Sequence, residues 1–336
     1  MTMTSRTALD PRPDRRRFLE LRRATLARVP GYRAGPRADA QLASLWARAE
    51  TLGLAHLHHP EAQLLWFRDP ETWFGGPATL AFVDRDPSSE VGLRAALAAV
   101  QAHEEGLDET TWLEVDAMDL PLVHGLLDLG FGIDSVQQVG DARVALQRIA
   151  AEPLSPTAAG IRFEAASPSD IPGILALHRQ AFEAHPEHCF FGARPAHLRR
   201  MQVDLTRALG APALRGHAGP PLHWVVRAGP RPDRSYEVVA HVEADLTPDH
   251  PQWGAVSGMA LVFHEGLQGR GLARLAYRTA LAAAVEAGAE TLKGGTSQPA
   301  VMALGRAMER PWYAFGLRRE AHFPPEHFLA FHPGRR

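Results

Sequence analysis

Residues 255–288 read AVSGMALVFHEGLQGRGLARLAYRTALAAAVEAG and pass from an apolar strand through a glycine-bearing turn into a helix. Gly269 and Gly271 in the turn have no Cβ, so a bulky anion can come close to the backbone. The helix predicted to begin near Leu272 and to end at Gly288 directs its unpaired N–H groups at the same place. This order of strand, turn and helix predicts a pyrophosphate-binding site.

Two other phosphate-binding motifs are excluded by the same region. A Walker loop ends in a lysine followed by serine or threonine, whereas Lys293, the one lysine of the chain, is followed by Gly294 and Gly295. A dinucleotide-binding fingerprint needs a third small residue three positions after Gly271, where Arg274 stands. The turn therefore needs another interpretation.

The turn resembles the coenzyme A loop of the GCN5-related N-acetyltransferase superfamily, whose pattern is Gln/Arg-x-x-Gly-x-Gly/Ala. A second match at residues 137–142 has no long apolar strand before it and no clear helix after it, and is discarded. The resemblance implies acetyl-CoA as co-substrate, with its pyrophosphate on the turn and its pantetheine along the preceding strand. The implied cofactor-binding residues are Leu261, Val262, Phe263, Gln268, Gly269, Arg270, Gly271, Leu272, Ala273 and Arg274.

The length of 336 residues predicts about two domains, and the small, proline-bearing residues 151–160 are interpreted as a linker between them. In residues 161–336, runs of strand formers at 222–228, 236–246 and 255–263 are separated by strong turn residues and predict an antiparallel meander. The helix that follows predicts a parallel strand within 290–297, and residues 311–323 are expected to supply the last helix and strand. This order resembles the whole acetyltransferase fold.

Residues 1–150 repeat the end of that plan, with residues 129–131 (Leu-Gly-Phe) standing where residues 315–317 (Phe-Gly-Leu) stand later. The expected fold class is α+β with a mixed sheet, as two such domains in tandem; an unrelated first domain is the alternative.

The first half lacks the residues of the cofactor turn. Where two glycines and a Gln or Arg would be needed, it has only Gly92. We therefore expect a degenerate first domain that shapes the pocket or replaces a dimer partner, and a second domain that holds the cofactor. Two fused domains favour a monomer or a weak homodimer.

Composition limits the partners and the location of the protein. The formal net charge of −2 gives no reason to expect nucleic acid or an anionic membrane. No apolar run of about 20 residues occurs, and no apolar segment follows the basic N-terminal residues. One cysteine, Cys189, excludes an internal disulfide, and the preference for arginine over lysine is typical of a GC-rich bacterial genome. A cytoplasmic enzyme is expected.

The resemblance also implies chemistry, in which a substrate amine attacks the thioester directly and needs a base and an acid. Tyr313 is the implied acid on the last helix, although Trp312 has the usual spacing. Glu243 is the predicted base and shares one face of its strand with His241. His264 and Glu265, close to the turn, are alternatives.

Further interpretations concern the acceptor and metals. Residues 185–189 (HPEHC) are interpreted as a loop over the acceptor pocket, and no metal is expected. The acceptor is a small-molecule or peptide amine, and a polycation would suit the carboxylates Glu237, Glu243, Asp245 and Asp249. The alternative to an N-acetyltransferase is a non-catalytic acyl-CoA-binding sensor or partner-binding module.

Overall fold

A computed structural model describes residues 9–70, 78–103, 111–151, 161–184, 195–210, 222–228, 237–264, 272–296 and 299–319. The helices in these ranges are α1 (Arg15–Ala27), α2 (Pro36–Thr51), α3 (Glu90–Ala102), α4 (Leu120–Asp128), α5 (Ala142–Ala151), α6 (Ile171–Ala184), α7 (Pro195–Gly210), α8 (Leu272–Glu286) and α9 (Pro299–Ala307). None of them is both long and apolar enough to cross a membrane.

The same ranges contain strands that form two sheets. The strands are β1 (Ala55–His59), β2 (Ala62–Asp69), β3 (Ala78–Arg85), β4 (Trp112–Asp116), β5 (Phe131–Asp141), β6 (Ile161–Ala165), β7 (His223–Ala228), β8 (Glu237–Ala244), β9 (Thr247–His250), β10 (Gly254–Ser257), β11 (Met259–Phe263), β12 (Thr291–Thr296) and β13 (Trp312–Arg319). One sheet has the order β1-β2-β3-β4-β13-β5-β12-β10-β9, and the other has the order β11-β8-β7-β6. Parallel pairs, β3 with β4 and β10 with β12, occur beside antiparallel ones. The predicted α+β class with a mixed sheet is confirmed.

The large sheet contains strands from both halves of the sequence, and the last strand crosses between them. β13 lies between β4 and β5, so that Phe315 is opposite Val115 on one side and Val136 on the other. β5 in turn pairs with β12 through its residues 136–141. The two halves therefore contribute interleaved strands to one sheet. The domain limits 1–150, 151–160 and 161–336 stay a prediction.

Residues 311–323 were expected to supply the last helix and strand; the strand is present as β13, but the prediction that Tyr313 lies on a helix is wrong. Helix α9 ends at Ala307; Glu309 then adopts a left-handed φ of 55°, and the Arg310 N–H donates to Gly305 O at 2.9 Å. Pro311, which follows, has no N–H and cannot continue a helix. Tyr313 consequently lies on strand β13.

The proposed equivalence of the two tripeptides is also wrong. Gly130 has a φ of 89° and lies at the turn between α4 and β5, where glycine is favoured. Gly316, its proposed counterpart, lies inside β13 between two flanking strands. Similar local sequence here serves a turn in one half and a packed strand in the other.

The second half forms the predicted antiparallel meander under helix α8. Val242 of β8 is opposite both Trp224 of β7 and Leu261 of β11. Helix α8 packs against the meander and β12 through a stripe of mostly small side chains, as its apolar periodicity predicts. The buried members of this stripe are Leu272, Ala276, Tyr277, Ala280, Leu281 and Ala284.

Candidate functional site: an opening between two diverging strands

The apolar run at 255–263 is divided between the two sheets at Gly258. Before it, β10 runs parallel to β12, with Ser257 opposite Leu292. After it, β11 leaves this sheet and pairs with β8. The Asp245 carboxylate accepts a hydrogen bond from the Gly258 N–H, and the Asp245 N–H donates to Gly258 O at 3.1 Å. Asp245 therefore fixes the point where the strands diverge.

Gly258 has a steric reason to be glycine. A Cβ added at this position would lie 2.6 Å from Oδ1 of Asp245, closer than real Cβ contacts come. Its φ is not in the left-handed range, so the constraint is space and not backbone conformation. Any side chain at 258 would push Asp245 away from the hydrogen bond that holds the break.

Beyond the break, β11 and β12 present backbone edges to each other across an opening. β11 pairs with β8 on its far side, and residues 293–296 of β12 pair with β5 on theirs. Among the described residues, no strand fills the space between these edges. Leu261 and Phe263 pack toward the α8 cluster, while Val262 is opposite His241 of β8. The N–H and C=O groups on this edge of β11 are thus placed to bind an extended amide chain.

Helix α8 begins at Leu272, as predicted. Gly288 adopts a φ of 101° just after the helix, and the predicted stop is confirmed. Leu272 is buried, and Ala273 and Arg274 are partly buried in the first turn. The predicted cofactor residues Gln268, Gly269, Arg270 and Gly271 lie outside the described residues, as does the 185–189 stretch.

Glu243 lies beside the opening, just after the divergence point. It is directly opposite Ala260 of β11 and His223 of β7, so all three side chains share one face of the small sheet. Burial, with the nearby negative charges of Asp245 and Asp204, raises the pKa of Glu243 to about 7. A carboxylate of this kind can accept a proton from an amine near neutral pH.

The imidazoles of His223 and His241 lie close to Glu243 on this face, and His178 of α6 contacts His241. His241 Nδ1 is 3.0 Å from His178 Nε2 on α6, and His241 Nε2 is 3.4 Å from His223 Nδ1. The rings of His223 and His241 are stacked at 5.7 Å with an interplanar angle of 6°. Burial, together with the neighbouring His178 and His223, holds the pKa of His241 well below its usual range. His241 is therefore neutral.

Sequence reasoning placed His241 and Glu243 on one face but missed His178 and His223. The signal for His223 was available in the meander, because antiparallel pairing of 222–228 with 236–246 brings one residue of the first strand opposite Glu243. His178 is contributed by helix α6, and no local pattern in the sequence indicates its distance from β8.

No protein-family profile matches the chain, and no curated protein matches its sequence. Among solved structures, a GCN5-related N-acetyltransferase from Sphaerobacter thermophilus superposes with a TM-score of 0.52 at 13% identity, covering 95% of this chain and 96% of that one. The chain has the fold of the GCN5-related N-acetyltransferases. A glucosamine N-acetyltransferase region of a fungal multi-domain β-N-acetylglucosaminidase gives a TM-score of 0.50 at 14% identity, covering 92% of this chain and 37% of that chain.

Within this N-acetyltransferase fold, Tyr313 is packed in the interior of the large sheet. It is 7% exposed, and its ring centroid is 6.0 Å from that of Trp253. Its cluster includes Leu26 and Leu42 from helices α1 and α2. The Lys293 ammonium lies 5.6 Å from the ring centroid of Tyr313. Burial raises the pKa of Tyr313, so the phenol stays protonated.

The alternative base His264 lies just past the end of β11, four residues beyond Ala260, which is the residue opposite Glu243. Its Nε2 atom is 3.4 Å from Nε2 of Gln180 on α6. It lines a cavity of about 360 Å³ together with Glu237 and Arg227. Glu265 lies outside the described residues. Of the candidate bases in the described residues, Glu243 is the one that lies next to the divergence point at Gly258.

In the first half, the parallel strands β3 and β4 are bridged by Arg22 of helix α1, which binds both Asp84 of β3 and Glu114 of β4. β3 and β4 stay paired from Leu80 opposite Trp112 to Phe82 opposite Glu114. The first turn of α3 is already capped, because the Ser89 hydroxyl accepts from the Gly92 N–H at 2.9 Å. The same hydroxyl donates to the Glu61 carboxylate at 2.5 Å. A carboxylate at this helix N-terminus disfavours a phosphate there.

Proposed function

We propose that the chain is an N-acetyltransferase that moves an acetyl group from acetyl-CoA to an amine by direct attack. The observation that carries this proposal is the divergence of β11 from β12 at Gly258, with helix α8 beginning at Leu272. In this proposal the edge of β11 binds the pantetheine amides, and the turn with the first residues of α8 binds the pyrophosphate.

Glu243 is the proposed base. It takes a proton from the substrate ammonium, and the amine nitrogen then attacks the thioester carbonyl carbon. The C–S bond breaks as the amide forms, and the coenzyme A thiolate leaves and takes up a proton. The position of Glu243 opposite Ala260 supports this role, since Ala260 is the second residue of the strand that would hold the thioester.

Tyr313 is the proposed acid for the thiolate. Its raised pKa keeps its proton available, and its ring lies beside Lys293, which belongs to the other edge of the opening. The depth of Tyr313 in the core also gives support to the second candidate function, a non-catalytic acyl-CoA sensor. A sensor would bind the cofactor in the same opening without transferring its acyl group.

For the acceptor we propose a small-molecule or peptide amine with few charges. Two of the four carboxylates predicted to attract a polycation have structural partners: Asp249 pairs with Arg37 at 2.5 Å, and Asp245 binds the Gly258 N–H. A polycation would need those carboxylates unpaired. We further propose a cytoplasmic monomer or weak homodimer without nucleic-acid or membrane partners.

The proposal is tested by titrating the chain with acetyl-CoA and by comparing Gly271→Glu with Gly210→Glu. The first variant places a carboxylate in the pyrophosphate seat, and we expect at least a tenfold loss of affinity, about 1.4 kcal/mol. The control adds the same charge at the end of α7, where an added Cβ meets no atom within 4 Å. Equal affinity in both variants would refute the cofactor site.

Catalysis is tested separately with Glu243→Gln. This change removes the proton acceptor and keeps the shape, so kcat should fall by about 10²- to 10⁴-fold while acetyl-CoA affinity stays the same. A loss of both quantities would indicate a structural role. If the wild-type chain binds acetyl-CoA but acetylates no amine in a broad panel, the sensor is the correct function.

A further inference from the structure

The face that carries Glu243 holds a group of side chains with the composition of a metal site. One ligand atom from each of His223, His241 and Glu243 lies within 4.8 Å of the others. The three residues come from the adjacent strands β7 and β8, where Glu243 is directly opposite His223 and two residues from His241. Two paired strands hold such positions rigidly, because their backbones are tied together by the ladder.

The spacing of the two imidazoles suits a shared ion. Two nitrogens bound to one tetrahedral zinc ion, each at about 2.0–2.1 Å, lie about 3.3–3.4 Å apart. Nδ1 of His223 and Nε2 of His241 are separated by 3.4 Å. As a hydrogen bond this distance is long. The same distance is the one expected between two nitrogens that bind one zinc ion.

His178 supplies the support that a metal-binding imidazole needs. Its Nε2 atom lies 3.0 Å from Nδ1 of His241, the ring nitrogen that points away from His223. When His241 donates its Nδ1–H to His178, its Nε2 lone pair is directed at the space shared with His223 and Glu243. Metal-binding histidines are commonly oriented by a hydrogen bond of this kind from their second nitrogen.

The surroundings also suit a cation. His241 is 2% exposed, and His223 and Glu243 are partly buried, so bulk water competes little for the ligand atoms. Asp204 and Asp245 add negative charge close to Glu243. Two neutral imidazoles and one carboxylate leave a divalent ion with one net positive charge, which these carboxylates offset.

We propose that His223, His241 and Glu243 bind a divalent first-row transition metal, with zinc as the probe ion, and that His178 orients His241. Three protein ligands leave a coordination position open for water or for another small ligand. When bound, the ion occupies the carboxylate that we propose as the base. Zinc should therefore inhibit acetyl transfer, a consequence that rests on the proposed function, whereas zinc binding does not.

The test uses the full chain, freed of metal with a chelator that is then removed, and titrated with zinc in competition with a chromophoric indicator. We expect one tight site per chain. His223→Asn should weaken it at least tenfold, and His178→Asn should weaken it about 10- to 100-fold through the loss of orientation. Cobalt in place of zinc should give the visible absorption of a low-coordinate ion in the wild type and lose it in His223→Asn.

The matched control is His250→Asn, which removes a partly buried histidine from the same half but outside the group. It should leave zinc affinity unchanged, and circular dichroism should show all variants folded. If zinc binds with the same affinity in His223→Asn and in wild type, the binding belongs to other histidines and the proposal is refuted. A wild type that binds no zinc refutes it directly.

Activity measurements separate this proposal from the proposed function. Zinc at one equivalent should abolish acetyl transfer in the wild type, and chelator should restore it. If the chain binds zinc at this site but acetylates no amine even without metal, the proposed function fails and the metal site stands. A carboxylate that binds zinc cannot also accept the substrate proton. If acetyl transfer proceeds unchanged with zinc bound, Glu243 therefore does not have both roles, metal ligand and base.

Discussion

Replacing Gly316 with alanine should destabilise the whole chain, because this glycine lies in the strand that both halves share. An added Cβ would overlap Nε1 of Trp112 on β4 and would lie 2.5 Å from Oγ of Ser135 on β5. Trp112 is 6% exposed and Ser135 is 5% exposed, so neither side chain can move into solvent. Overpacking of a core costs about 1–3 kcal/mol.

The upper end of that range applies here, since the added methyl group meets buried atoms on both flanking strands. Alanine recovers about 0.5–1 kcal/mol relative to glycine within a strand. We therefore expect a net loss of about 2 kcal/mol in the free energy of unfolding. That is a large part of the roughly 5–15 kcal/mol that stabilises a typical protein.

The loss should be measured by urea unfolding, followed by circular dichroism and by hydrogen exchange in β4 and β12. These strands belong to different halves, and both should lose protection, because β13 pairs with β4 and β5 pairs with β12. Gly210→Ala is the control, since a Cβ there meets no atom within 4 Å. A change below about 0.5 kcal/mol in Gly316→Ala, or exchange that increases in one half alone, would refute the shared-strand reasoning.

Two other predictions concern catalysis and acid stability. Tyr313→Phe should lower kcat by about 10²-fold or more with unchanged acetyl-CoA affinity; unchanged kcat would remove Tyr313 from the chemistry. Burial, opposed by the hydrogen bond that His56 donates to the Gln63 amide oxygen, lowers the pKa of His56 to about 4 from 6.5. The folded state therefore binds fewer protons than the unfolded state, and stability falls as the pH drops from 6.5 toward 4. Between pH 7 and 5 the wild type should lose about 2 kcal/mol more than His56→Gln in urea unfolding; equal losses would contradict this.

The sequence was sufficient to predict those helices and strands whose signals lie in their own residues or in the turns beside them. Helix α8 could be predicted at both ends, because an apolar periodicity fills it and Gly288 adopts the left-handed conformation that follows it. The meander could be predicted because strong turn residues separate three runs of strand formers. The parallel pairing of β12 followed from the helical crossover, and β10 with β12 confirms it.

The division of the 255–263 run could not be predicted, because it depends on a partner distant from the run itself. Strand propensity is continuous through the run, and Gly258 looks like one small residue among several. The break is determined by Asp245, whose carboxylate reaches the Gly258 N–H from the end of β8. A glycine within a strand indicates a bulge or a close approach, and this general signal was present but was not used.

The pairing of β13 with β4, and of β5 with β12, joins the two halves and was still harder to predict from the sequence. Each strand has apolar residues suited to a central position, and each could pair within its own half. Which partner it takes is decided by side-chain fit across strands that are more than 100 residues apart. Non-local pairing of this kind has no periodicity to indicate it.

The pairing of β5 with β12 gives the first half a physical role in the opening. β12, one edge of that opening, contains Gly294 and Gly295 and is by itself a weak strand. Its other edge is held by β5, with Lys293 opposite Val139, and a Cβ at 295 would overlap the amide of Gln137. Gly295 thus leaves room for the Gln137 side chain of β5. A second half cut from the first would lose the strand that holds one wall of the opening in place.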